Sequence, residues 1–370
     1  MEQFQIDEIT SRASLAVIEQ EWRVLLESSR IPTVFLTWEW VSSYFEHYGE
    51  RCRPWILLVR SLENGALLAI APFSLGVVDR IRPFQIRELS FIGSGYLSPD
   101  HLDLIVRPGW EDRLAGIVGQ YIWRKKKLWD VIWLRSCSAG APLCGVLNRQ
   151  QRRAFSHVHK VICPYIALPD TWSELEARFG KNLRRNIRRE SNRFFKEYGD
   201  RVTFRKICDI SELGHAMQQL FELHQQSKIA KGKAGAFGDS LFREFHLDFA
   251  KKLLEVNQLC FYLLEIDGRA VTALYGFSRK GTTAFYQAGY DVSLQSYSPM
   301  RQLLVYGIQQ AIVAGDHEVD LLRGDDEYKF RLAKKSRTDQ DHLIPVTIRG
   351  FLFVLLYRMA RYCRSVLAKE

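Results

Sequence analysis

At 370 residues the chain exceeds one ordinary hydrophobic core, and two domains are expected. Its hydrophobic and charged fractions, 47% and 25%, are those of a soluble globular protein, and no run of eighteen apolar residues is present to span a membrane. The formal charge of +10 points to a polyanionic partner, such as nucleotide phosphates, anionic lipid or nucleic acid. The polar start has no signal-peptide apolar region, so a cytoplasmic location is expected. The seven cysteines contain no C-x-x-C pair, and neither a metal site nor a disulfide framework is expected.

In chain order, residues 11–30 predict an amphipathic helix, with Leu15, Ile18, Trp22, Leu25 and Leu26 on one face. A second helix runs from Trp38 to Tyr48 and stops at Gly49. Two apolar runs flank Asn64-Gly65, a strong hairpin signal. Strands at Arg87–Ile92 and Leu102–Val106, a helix at Glu111–Arg124 and a strand at Trp129–Leu134 complete the first half.

The second half repeats the plan. Thr171-Trp-Ser-Glu174 reads as a capping box, and a basic helix follows from Lys181 to Tyr198. Helices at about 211–228 and 240–255 enclose a glycine-rich loop, Lys231–Gly238. Strands Leu259–Ile266 and Ala270–Ser278 flank Asp267-Gly268, and a third strand covers Thr283–Gly289. A polar turn, Val292–Tyr297, leads to a helix start at Ser298-Pro299, with Ser298 as the expected cap. The strand Glu318–Leu322 then runs into a charged cluster, Arg323–Lys329. Trp55–Val59 matches Phe261–Glu265 in layout, and Asp130–Ser136 matches Glu318–Gly324, as if one α/β unit were used twice.

A three-strand meander, a polar turn into a helix, and a further strand resemble the Gcn5-related (GNAT) acyltransferase fold. Four segments are similar to CelD/BcsL-type acetyltransferases: Leu183–Arg189, Gly232–Phe237, Ala288–Pro299 and Leu322–Lys329. The resemblance extends to the Fem-type aminoacyltransferases, which carry two such units in tandem. It implies an α/β fold of two tandem GNAT-like domains with mixed, mostly antiparallel sheets. The expected domains are residues 1–155, a degenerate copy, and 156–342, the catalytic copy, followed by an apolar and basic helix over 343–370.

The resemblance further implies an acetyl-coenzyme A or other acyl-coenzyme A donor, no metal, and a sugar-nucleotide or polysaccharide-precursor acceptor in cellulose or exopolysaccharide synthesis. The family's pyrophosphate turn falls on Gln295, Ser298, Pro299, Met300, Arg301 and Gln302, and Met300 stands where relatives carry Gly. A helix N-terminus suits an anion, although an ordinary Ser-Pro helix start has the same sequence. Acyl transfer needs a base for the acceptor's proton and an acid for the leaving thiolate; Asp325 and Tyr328 fit these roles, with Arg323 or Lys329 positioning an anion. A capped loop with internally paired charges is the competing reading.

Arg184, Arg185 and Arg188 on the basic helix suit bidentate phosphate recognition, against the plainer reading of a solvated face. Lys233 and a mobile Phe237 suit a lid, and Tyr286 and Gln287 complete the acceptor side together with Arg323. His224 and His246 read as structural. The tail, Val346–Arg364, suits a helix lying peripherally on the inner membrane surface or packing on its own domain. Two other functions compete: aminoacyl transfer from charged tRNA, and a scaffold without activity.

Overall fold

The computed structural model describes residues 3–78, 85–138, 140–150, 156–324 and 326–367. Two compact units divide the chain: Met1–Val161 together with Thr338–Glu370, and Ile162–Arg337.

The first unit opens with β1 (Phe4–Ile9), α1 (Arg12–Val17), α2 (Glu19–Ser28) and α3 (Trp38–Tyr48). Strands β2 (Cys52–Pro54), β3 (Ile56–Ser61), β4 (Leu67–Ala71), β5 (Phe73–Val78), β6 (Ile86–Phe91) and β7 (Ile105–Val106) follow, then α4 (Glu111–Arg124), β8 (Val131–Cys137) and α5 (Pro142–Gln150). β9 (His157–Ala167) crosses the boundary into the second unit. That unit holds α6 (Trp172–Arg178), α7 (Lys181–Tyr198), β10 (Val202–Lys206), α8 (Ile210–Ile229), α9 (Ser240–Glu255), β11 (Leu259–Ile266), β12 (Arg269–Arg279) and β13 (Thr282–Tyr290). It closes with α10 (Pro299–Val313), β14 (Glu318–Asp320) and α11 (Glu327–Leu332). β15 (Lys335–Pro345) returns the chain to the first unit, where α12 (Ile348–Leu367) ends it.

The expected helix over 11–30 breaks at Ile18. The Ile18 amide closes a short turn onto Leu15 at 3.1 Å, and Trp22 then bonds Ile18, so two helices meet there. The break lets Leu15, Ile18, Trp22, Leu25 and Leu26 all reach the core.

In the first unit β1, β3, β4 and β7 form one antiparallel sheet. β5 continues the line of β4 after Pro72, pairs antiparallel with β2 and β6, and β6 runs parallel to β8. In the second unit β10, β11, β12 and β13 form an antiparallel meander, β13 is parallel to β14, and β14 is antiparallel to the end of β9. Both units thus carry a meander, a helix, and a strand parallel to the last meander strand. The pairing is mostly antiparallel, with parallel pairs at β6/β8 and β13/β14, so each unit has mixed pairing as expected.

β13 and β14 stay paired only through Thr282–Ala284 and Glu318–Asp320, so the later half of β13 has no ladder partner on that side among the described residues. Tyr286 is the extra residue of a bulge in β13 opposite Tyr275 and Gly276. Phe285, Leu274, Leu303, Ile308 and Val319 make the core under α10. On the other face α8 approaches β13 so closely that a Cβ on Gly289 would meet the His224 amide at 2.2 Å.

β14 ends at Asp320, two residues short of the expected strand. The Asp320 carboxylate takes the Leu322 amide at 2.7 Å, and Leu322 turns to a positive φ of 55°, which ends the ladder. No helix among the described residues is long and apolar enough to cross a membrane.

Candidate active site

The site is built around the start of α10. Residues Val292–Tyr297 form a 3-10 helix, begun by the Asp291 carboxylate on the Ser293 amide. Ser298 does not cap α10 with its hydroxyl, contrary to expectation. It sits in the left-handed region (φ 55°, ψ 47°) and makes no side-chain cap bond. Pro299 disfavours a right-handed helical Ser298, so the backbone reverses there, and the Ser298 carbonyl accepts from the amides of Arg301 and Gln302 at 3.0 and 3.4 Å. Pro299 has no N–H, and the Met300 amide, in the first helical turn, has no backbone carbonyl partner among the described residues. The dipole of this 15-residue helix adds partial positive charge at the same end.

A cavity of about 330 Å³ opens at this end of α10. Gln295, Ser298, Pro299, Met300 and Arg301 line it, so five of the six donor-side residues expected from sequence come together. Gln302, the sixth, is buried and outside the lining. Lys231 and Tyr290 close one part of the wall, Tyr328, Arg331 and Leu332 another, and Leu183 of α7 a third.

Among the described residues the wall carries three cations and no carboxylate. Arg301 is paired with Glu190 of α7 at 3.1 Å and Arg331 with Glu327 at 2.6 Å, while the Lys231 ammonium lies 5.5 Å from the centre of the Tyr290 ring. Cations in such a wall favour an anionic ligand. Tyr328 keeps 45% of its surface exposed, yet desolvation first and Asp326 second push its phenol up to about 12. It is a protonated donor at neutral pH.

Asp325, the expected base, lies outside the described residues. Arg323 is half-buried beside it in sequence, and Gly324 adopts a φ of 131° that suits only glycine. The Lys329 ammonium donates to the carbonyls of Leu321, Leu322 and Arg323 at 2.8, 3.4 and 2.6 Å. The positive φ at Leu322 aims these oxygens at one point, and a buried cation satisfies them.

None of the expected acceptor-side residues lines the cavity. Arg188 holds Glu176 through two bonds of 2.9 and 3.1 Å, Arg184 is half-buried, and Arg185 and Lys233 are exposed. Phe237 is not a mobile lid. It is 1% exposed, with Phe221, His224 and Phe242 ring centres at 4.6, 4.9 and 5.2 Å, because the glycine-rich loop folds its one large apolar residue into the core. The Tyr286 ring lies tilted against His246, centres 5.1 Å apart, and Gln287 is half-buried on the same strand.

Burial lowers His246 to about 3 and His224 to about 4, which keeps both neutral. Sequence reading missed Lys228, lowered first by burial, while the nearby charge of Asp326 opposes that shift. It also missed Arg331, whose signal was its place one turn after Glu327.

Residues 181–330 match the family model described as an acetyltransferase (GNAT) domain. No curated protein matches in sequence. Among solved structures, FemX is similar with a TM-score of 0.60 at 10% identity, over 95% of this chain and 99% of that one. The C-terminal domain of a putative lysylphosphatidylglycerol synthetase from Agrobacterium fabrum has a TM-score of 0.54 at 11% identity, covering 89% and 91%. L-PGS from Bacillus licheniformis also has a TM-score of 0.54, at 14% identity, covering 91% and 94%. These likenesses concern the fold alone. The chain is an α/β protein of mixed sheets whose residues 181–330, within its second unit, match the acetyltransferase (GNAT) domain model.

Proposed function

We propose that the second unit transfers an acyl group, with acetyl-coenzyme A as donor, to an amine or hydroxyl of a sugar-nucleotide or polysaccharide precursor. The observation that carries the donor assignment is the cavity at the N-terminal end of α10, which Met300, Lys231 and Arg331 line together. The Met300 amide and these cations would hold the pyrophosphate. Asp325 would take the acceptor's proton as the new bond forms, and Tyr328 would give its proton to the departing thiolate. The acceptor class rests on the resemblance of Leu183–Arg189, Gly232–Phe237 and Leu322–Lys329 to CelD/BcsL-type enzymes. A cytoplasmic protein with α12 resting on the inner membrane surface fits this role, supported by exposed Leu352, Leu355, Leu356 and Met359 beside Arg358.

Acetyl-coenzyme A tests the donor. A ligand that binds only the folded state should add about 2.7 kcal/mol of stability at 100 times its Kd, read as a raised Tm. An unchanged Tm at saturating donor would remove the assignment.

A second reading, aminoacyl transfer from charged tRNA, is favoured by the basic face of α7, where Arg185 and Arg189 make no ion pair among the described residues. Charged tRNA should then bind with a steep salt dependence that is lost when Arg184, Arg185, Arg188 and Arg189 become Gln. Equal binding by parent and variant would reduce the helix to a solvated face.

A further inference from the structure

The first unit holds a cluster that the transfer reaction does not use. Cys137 ends β8, Cys144 lies on α5 and His342 on β15, and all three are buried. Each offers one ligand atom, and the three atoms lie within 4.8 Å of one another. Their separation in sequence, six residues between the cysteines and nearly two hundred to the histidine, hides them from any spacing motif.

The backbone is bent to make this meeting. Gln340 pairs with Cys137 and His342 with Leu134, so two steps along β15 answer three along β8. In an unbroken ladder Cys137 and Leu134 would face opposite sides of the sheet. The extra residue brings Cys137 round to the face that carries His342. Ser136, inside the irregularity, takes a left-handed φ of 53° without being glycine. Its amide is held by the Asp341 carboxylate at 2.8 Å, and its carbonyl accepts from Leu102 at 2.8 Å. A strained non-glycine residue that the surroundings fix in place is a feature that clusters at functional sites.

We propose that Cys137, Cys144 and His342 bind one zinc ion through two thiolate sulfurs and one imidazole nitrogen. Two sulfurs and a nitrogen are the soft and borderline donors that zinc prefers over magnesium or calcium. With zinc–sulfur and zinc–nitrogen bonds of about 2.3 and 2.0 Å, tetrahedral geometry sets the donors roughly 3.5–3.8 Å apart, within the spacing found. Two thiolates also cancel the double charge of the ion, so the buried centre is neutral and avoids the cost of a bare buried cation. Binding releases both thiol protons to solvent. A fourth ligand, water or a small molecule, completes the tetrahedron. The ion joins β8, α5 and β15, and so acts as a staple of the first unit.

The test is metal analysis of the full chain, purified without chelator under reducing conditions. Zinc is expected in one-to-one ratio with protein, and cobalt loaded in its place should show a thiolate-to-cobalt charge-transfer band. Cys144→Ser and His342→Gln should each cut zinc affinity by roughly 10-fold or more, whereas Cys208→Ser at an exposed cysteine should change nothing. If a variant fails to fold, the wild-type metal content and cobalt spectrum decide alone. Folded wild-type protein without metal and without the cobalt band would overturn the proposal. So would a Cys137–Cys144 disulfide in the purified protein, or zinc that stays bound with equal affinity in folded Cys144→Ser.

Discussion

The Lys329 ammonium lies 2.6 Å from the Arg323 carbonyl, the shortest of its three bonds to the chain that leaves β14. That contact ties α11, which carries Tyr328 and Arg331, to the end of the chain that leaves β14. Lys329→Met would leave three carbonyls facing an apolar side chain in a buried place. It should cost about 1–3 kcal/mol of stability, the penalty for unsatisfied buried polar groups. Urea unfolding of the variant checks this. A Lys329 that served only an anionic ligand would instead give unchanged stability and weakened binding.

Asp325→Asn keeps the shape of the side chain and cannot take a proton, so turnover should fall by roughly 100-fold or more while donor binding survives. Asp326→Asn should do much less, since Asp326 is exposed and makes no side-chain cap on α11. Turnover and thermal stability measured together separate the two. Equal small losses would place the base elsewhere.

Tyr328→Phe should slow transfer by roughly 100-fold if the phenol protonates the thiolate. With its pKa pushed up to about 12, the phenol stays protonated through the neutral and mildly alkaline range. The rate should therefore show no alkaline limb from this group below about pH 10, where a free phenol would begin to ionise. A limb near pH 10 that vanishes in Tyr328→Phe would contradict the shift.

His246 sits neutral among rings, with its pKa lowered to about 3. The unfolded chain binds a proton at about 6.5, so between these values the unfolded state holds more protons than the folded one. Stability present above pH 6.5 is thus lost as pH falls toward 3, at up to about 1.4 kcal/mol per pH unit. His246→Phe should flatten the fall in urea midpoint between pH 7 and pH 5. An identical pH slope in parent and variant would mean that His246 does not titrate on unfolding.

Gly289 faces the α8 backbone, where a methyl group would lie 2.2 Å from the His224 amide. Gly289→Ala should destabilise by about 1–3 kcal/mol or more, because α8 must retreat from β13. Chemical denaturation reads the loss, and a neutral variant would show that the two elements part freely.

Local signals carried much of the fold. Lys181–Tyr198, Ser240–Glu255 and Glu111–Arg124 form helices with the bounds expected from periodicity and punctuation, because these cues act over neighbouring residues. The Asn64-Gly65 and Asp267-Gly268 turns likewise join antiparallel strands, with positive φ at both glycines. The helix start at Pro299 and the end of β14 before a charged run were legible for the same reason.

Tertiary structure decided what those residues touch. The sequence shows a Ser-Pro start, but the left-handed Ser298 follows from joining a 3-10 helix to Pro299. It shows a cation at Lys329, but three carbonyls gathered by a reversed Leu322 claim it. It shows a phenylalanine in a glycine-rich loop, but rings from α8 and α9 bury it. Cys137, Cys144 and His342 meet only because a bulge turns one strand over. Helix and turn propensities are set by atoms a few bonds apart, whereas partners of a charge, a ring or a thiol are chosen by packing between distant segments.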